Sequence, residues 1–197
     1  ILIFCTYPIL VLCFSIIVDK EKISNIIKFL FLITFVGLFF ALGPSFKNLN
    51  IIGVLCAIVA SVGATTMIVV NQKMSNKLIS PIKINIFINI FNAFFFFIVL
   101  FFFFSIDFKI SKISFFVILI PSLSYAIALL LQLLAIPKIG QSNTALFLYS
   151  EPIVAIVGAV ILLKETLNSY QLFGAILVLS SLGLATYLIE KTKNDFS

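Results

Sequence analysis

The chain is expected to be all-α: a polytopic membrane helix bundle of seven spans, built on inverted five-helix repeats. Three observations predict this. Hydrophobic residues make up 62% of the sequence and charged residues 10%, against roughly 45–50% and about 25% in soluble domains. The apolar residues are gathered into runs long enough to cross about 30 Å of hydrocarbon at 1.5 Å per residue. A pattern of proline followed thirteen residues later by glutamate occurs at Pro8 with Lys20-Glu21 and again at Pro152 with Lys164-Glu165, an offset of 144 residues.

The seven runs cover about 1–18, 26–43, 50–71, 82–106, 113–136, 142–163 and 170–189. The gaps between them are short and hold turn-forming residues: Gly43-Pro44-Ser45, Asn76 to Pro81, Pro137 to Gly140, and Asn168-Ser169. Gaps of this length join antiparallel neighbours and leave no room for a further soluble domain. The first run opens at Ile1 without a basic segment or a small-residue cleavage pattern, so it reads as part of a span and the chain as a fragment.

All 13 basic residues are lysines. On one side of the predicted membrane lie nine of them: Lys20, Lys22, Lys28, Lys73, Lys77, Lys83, Lys138, Lys191 and Lys193. The other side has four, Lys47, Lys109, Lys112 and Lys164. The positive-inside rule makes the first side cytoplasmic, and with it the C-terminus. The two Lys-Glu corners then fall on opposite faces, as an odd number of spans per repeat requires, and the 144-residue offset contains five. In that register Ile9 falls on Ile153, Ile17 on Ile161 and Phe29 on Phe173, and a small adjustment puts Gly37 on Gly183. The organisation expected is 1–43 as the last two spans of a truncated first repeat, 44–49 as a connecting loop, 50–189 as a complete second repeat, and 190–197 as a cytoplasmic tail.

From Ser150 to Leu182 the sequence reads Glu151-Pro152-Ile153-Val154-Ala155, then Leu162-Leu163-Lys164-Glu165-Thr166-Leu167, then Gln171-Leu172-Phe173-Gly174-Ala175. This resembles the drug/metabolite transporter superfamily, in particular members with EamA-type repeats. Their pattern is a proline leading apolar residues, a Glu-x-Leu corner and a glycine-containing final helix. A weaker copy runs from Tyr7 to Phe40. The resemblance implies ten spans in two inverted repeats and a small polar cargo, such as an amino acid or a nucleotide-linked metabolite. The chain departs from the family where Lys20 and Lys164 stand at a corner position that often carries glycine.

Glu151 is the most pointed candidate for the pathway, because it lies within an apolar run beside Pro152. A charged carboxylate in mid-membrane costs roughly 2.5–3.5 kcal/mol on insertion scales, so it should face the bundle interior or a wet cavity. Pro152 is expected to break the helix and to free a carbonyl near Leu148. Carboxylate and carbonyl together suit a proton, a cation or a substrate amine; a carboxyl satisfied by a neighbouring helix is the competing role. The repeat mate of Glu151 is Tyr7, and that of Pro152 is Pro8. Asn85, Asn89 and Asn92 share one helical stripe, as do Ser122, Tyr125 and Gln132 on the next span and Ser61, Thr65 and Gln72 on the third. Such stripes line a polar pathway or hydrogen-bond between helices. The small residues Ala155 with Ala159, and Gly174 with Val178, Ser181 and Ala185, read as packing stripes, and the phenylalanines from Phe94 to Phe104 as lipid-facing bulk.

Other function classes are disfavoured. Histidine is absent, and Cys5, Cys13 and Cys56 lack metal-ligand spacing, which leaves neither a metal site nor a Ser-His pair. Asp19, Glu21, Asp107, Glu165, Glu190 and Asp195 lie at boundaries or in the tail, so enzyme activity is not expected. The chain has no phosphate-binding loop for ATP, and its charge of +6 is spread over membrane boundaries instead of forming a nucleic-acid surface. The expected partners are the lipid bilayer, a small-molecule substrate and a coupling proton or Na+, with no cofactor and no nucleic acid; a homodimer is compatible. The expected setting is a bacterial inner membrane and the expected function a secondary transporter, with a non-transporting scaffold or regulator as the alternative.

Overall fold

The computed structural model describes residues 1–43, 50–103 and 112–195. The predicted linker 44–49 and the residues Phe104, Asp107 and Lys109 lie outside them. The described residues form a short 3-10 turn, Phe4–Thr6, and eight α-helices: α1 Tyr7–Ile17, α2 Asn25–Leu42, α3 Ile51–Asn76, α4 Pro81–Phe103, α5 Lys112–Ile139, α6 Gln141–Phe147, α7 Ser150–Leu163 and α8 Ser169–Asp195. Six stretches are long and apolar enough to cross a membrane, α6 and α7 counting together as one, and Phe4–Ile17 is a shorter apolar seventh. The chain is a multi-pass integral membrane protein. It folds as two compact units, residues 1–69 with 141–197, and residues 70–140.

Within the first unit the 144-residue recurrence is written in backbone geometry. Tyr7 N–H donates to Phe4 O, and Glu151 N–H, 144 residues on, donates to Leu148 O. Lys20 and Lys164 both adopt the left-handed conformation, with φ of 54° and 55°. Next to them Glu21 N–H reaches Ser15 O at 3.0 Å and Glu165 N–H reaches Ala159 O at 3.5 Å, so in both places the residue after the left-handed lysine turns back onto the carbonyl six residues earlier. Ser24 then caps α2 by accepting from Ile26 N–H, while its mate Asn168 accepts from Gln171 N–H at 2.8 Å and Gln171 Oε1 accepts from Asn168 N–H at 3.0 Å.

The two corner lysines thus stand where a left-handed turn is needed, which is why glycine suits the position. Replacing exposed Lys164 with glycine removes the Cβ penalty of that conformation and is expected to raise stability by about 1 kcal/mol. Thermal unfolding of the purified protein in detergent measures it; an unchanged or lower midpoint counts against the strained-corner reading.

Helix α2 packs along α8 in antiparallel fashion: Phe40 meets Phe173 edge-on at 6.1 Å, and further back along α2 Gly37 lies against Leu177 and Val178. The two backbones come close enough that a Cβ added to Gly174 would sit 2.5 Å from Gly37 O and 2.8 Å from Phe40 C, with Ala41 N nearer still. The predicted small-residue stripe on α8 is buried at Gly174, Val178, Ser181 and Ala185. The stripe on α7 is not, since Ala155 is exposed and Ala159 half-buried. Gly183 has no atom within reach of an added Cβ, so the close approach belongs to Gly174 and not to the glycine that sequence alignment pairs with Gly37.

The second unit corrects the predicted break at Pro137. Helix α5 runs through Pro121 and Pro137 to Ile139. Pro137 has no N–H to give Leu133 O, four residues back. Asn71, fully buried on α3, donates its Nδ2 to that carbonyl at 3.0 Å and so takes the place of the missing donor. Asn71→Ala is expected to cost about 1–2 kcal/mol. In a Pro137→Ala background the helix supplies its own N–H and the cost should shrink; equal losses in both backgrounds would disprove the substitution of one donor for another.

Other boundaries move by a few residues. Helix α3 extends to Asn76, and α8 continues to Asp195 through most of the segment read as a tail. Phe94 to Phe97, Phe101 and Phe102 are exposed on α4, as a lipid-facing surface would be.

Candidate functional site

The predicted proline breaks fall at two matching turns of the first unit. Pro8 lies in the first turn of α1, directly after the 3-10 turn. Pro152 lies in the first turn of α7, after a two-residue interruption at Leu148-Tyr149 that separates it from α6. A proline is tolerated there because first-turn N–H groups have no helical acceptor. The carbonyl expected to be freed near Leu148 is not open. It accepts from Glu151 N–H at 3.1 Å, so the residue just before the proline replaces the donor that the proline lacks.

Around these turns four side chains lie within electrostatic range of one another: Tyr7 of Glu151, Cys5 and Tyr149, and Cys5 also of Glu151. They form two pairs of repeat mates, Cys5 with Tyr149 and Tyr7 with Glu151, each 144 residues apart. The site therefore sits where the broken turns of the two copies meet. Tyr7 and Tyr149 are buried, and Glu151 is exposed. The edge of Phe31 holds the Tyr149 ring at 6.3 Å, and Phe4 holds Tyr7 at 5.1 Å.

The Tyr7 turn is tied to α3. Thr6 Oγ1 bonds Ile3 O at 2.7 Å and lies 3.0 Å from Ser61 Oγ, while Thr65 Oγ1 donates toward Tyr7 O at 3.3 Å and Ser61 O at 2.9 Å. Ser61 and Thr65 thus brace the turn. Ser61 is fully buried there and Thr65 half-buried. Among the described residues Tyr149 Oη has no hydrogen-bond partner although it is buried. An unmet buried hydroxyl costs about 1–3 kcal/mol, and a ligand or water that satisfied it would recover that energy. A carboxylate with two phenols nearby can accept from a cation or amine and donate to a polar oxygen.

The remaining predicted residues belong to the second unit. Asn89 Nδ2 donates to both Asn85 O and Asn85 Oδ1 at 2.9 Å, so these two amides are joined along their own helix. Asn92 and Tyr125 are exposed and Gln132 is half-buried. Ser122 bonds back to Ile118 O, and Gln72 donates to Asn76 Oδ1. Sequence reading missed Tyr149, Thr6 and Asn71. For Tyr149 the repeat offset was the available signal, since its mate Cys5 precedes Tyr7 just as Tyr149 precedes Glu151.

The fold and the site define a polytopic helical membrane protein with a polar centre at two broken helices. Comparison with known families matches residues 51–187, the greater part of the chain, to the EamA-like transporter family. The chain belongs to that family and is a membrane transporter. Comparisons with curated proteins and with solved structures gave no match.

Proposed function

We propose that the protein is a secondary transporter that moves a small polar metabolite by alternating access, coupled to an ion gradient or to exchange. The observation that carries this is the quartet of Cys5, Tyr7, Tyr149 and Glu151, which places a carboxylate and an unpartnered buried hydroxyl at the meeting of two matched helix breaks. Midplane sites at discontinuous helices between repeats are a recurring transporter design. In this reading 50–189 is one five-span repeat, 1–43 ends another, and the lysine-rich face with the C-terminus is cytoplasmic.

The test is a thermal-shift screen of the full-length protein against amino acids, nucleotide-linked compounds and other small polar metabolites, followed by flux in proteoliposomes for each hit. Saturable flux with a stabilising ligand is the expected result. Neither binding nor flux across the panel would favour a membrane scaffold.

A further inference from the structure

At the end of the first unit where α1 stops and α6 begins, five side chains form one network. Gln141 Nε2 donates to Ser15 Oγ and to Asp19 Oδ2, each at 2.7 Å. Ser142 Oγ lies 2.9 Å from Ser15 Oγ and donates to Glu21 Oε2 at 2.9 Å. Ser15, Gln141 and Ser142 are buried while Asp19 and Glu21 are exposed, so the network runs from a buried cluster of three side chains out to two surface carboxylates.

We infer that this network is a latch that closes one end of the transport pathway and opens when cargo passes. The inference rests on the transporter reading. Three observations support it. First, every bond joins a residue of 1–43 to one of 50–189, so the network ties the two proposed repeats together through side chains. Second, it is one-sided at two of its three α1-side residues: the residues 144 positions after Ser15 and Asp19 are Ala159 and Leu163, which have no side-chain hydrogen-bonding group, and only Glu21 has a matching residue, Glu165. An inverted pair of repeats that is pinned at one end only is held in one of its two access states. Third, Gln141 Oε1 is buried with no hydrogen-bond partner among the described residues. Opening would hydrate that oxygen, which offsets part of the cost of breaking the bonds and keeps the closure reversible. A network meant only to hold the fold gains nothing from this defect.

The test uses the full-length protein with Cys5, Cys13 and Cys56 replaced by alanine, a reporter cysteine introduced by Glu151→Cys, and vesicles of known orientation. A membrane-impermeant maleimide is applied to the face bearing Lys20 and Lys22, and labelling is read at the reporter by peptide mass spectrometry. With the latch intact, labelling from this face should be at least about tenfold slower than from the opposite face. Ser15→Ala with Gln141→Ala should abolish that difference; a folded variant that keeps it overturns the latch. Should that variant fail to fold, Ser15→Cys with Ser142→Cys decides, because the two hydroxyl oxygens are 2.9 Å apart and a disulfide needs little adjustment. Reduced, this protein lacks the serine bonds and should label quickly from the Lys20 face; oxidised, it should label at least about tenfold more slowly. Equal rates in the two forms overturn the proposal. Metabolite flux is measured separately, in protein that retains Cys5 and Glu151, so a latch that fails while flux persists leaves the transporter reading standing.

Discussion

Gly174→Ala is expected to remove most of the folded protein, seen as loss of the monodisperse peak and a large drop in thermal midpoint in detergent. The reason is geometric. The new methyl would meet the α2 backbone at Gly37 O, Phe40 C and Ala41 N, at distances no rotamer change can relieve because a Cβ is fixed by its own backbone. Overpacked cores usually lose 1–3 kcal/mol, and a clash of backbone with Cβ lies at about the top of that range or beyond, since whole helices must separate. Separation would also expose Val178, Leu38 and Phe31, which are buried in the first unit. Gly183→Ala on the same helix is the control. Its added methyl meets nothing, and relief of glycine's backbone entropy should stabilise by about 0.5–1 kcal/mol. If both substitutions behaved alike, the close crossing of α2 and α8 at Gly174 would be wrong.

Glu151→Gln is expected to abolish gradient-driven uptake, by at least about tenfold or ~1.4 kcal/mol of coupling, while the protein remains folded. Glutamine keeps the length of the side chain and one carbonyl acceptor, but it neither carries a charge nor exchanges a proton. Because Glu151 is exposed and its backbone N–H, not its carboxylate, serves Leu148 O, the turn should survive the change. A thermal midpoint close to that of the unmodified protein checks this. Proteoliposome uptake of whichever ligand the screen identifies, with and without an imposed ion gradient, checks the rest. Coupled uptake at the original level would remove Glu151 from the coupling role. Loss of gradient dependence with retained exchange would place the carboxylate in coupling instead of cargo binding.

Both results depend on features that differ in how far the sequence showed them. The proline breaks, the Lys-Glu corners and the turn at Asn168-Ser169 are local, because each is made by residues within about one helical turn of one another. Their spacing therefore survives as a readable pattern. The helix through Pro137 could not be read in this way. Its missing donor comes from Asn71, 62 residues away, and nothing near Pro137 announces it. The stripe of Gly174, Val178, Ser181 and Ala185 was legible as a packing face, but its partner was not, since the other helices are uniformly apolar with no hydropathy contrast to mark which of them meets it.

The candidate site divides along the same line. Glu151 stood out because a carboxylate in an apolar run is costly anywhere, and Tyr7 followed from the offset. Tyr149 and Cys5 join them only because two turns 144 residues apart in sequence fold against each other. Gln141 and Ser142 looked like ordinary span-end residues until their bonds to Ser15, Asp19 and Glu21 were seen.

The sequence by itself determined that the chain is a multi-span helical membrane protein, where most of its helices begin and end, and that a proline-to-corner module occurs twice. Those properties follow from transfer free energies and from backbone rules that act over a few residues. The tertiary structure alone decided which helices touch, how closely their backbones approach, and which polar atoms meet inside. In a chain so evenly apolar, burial from water discriminates weakly between helix faces, and the choice passes to steric fit and to the pairing of individual hydrogen-bond donors and acceptors.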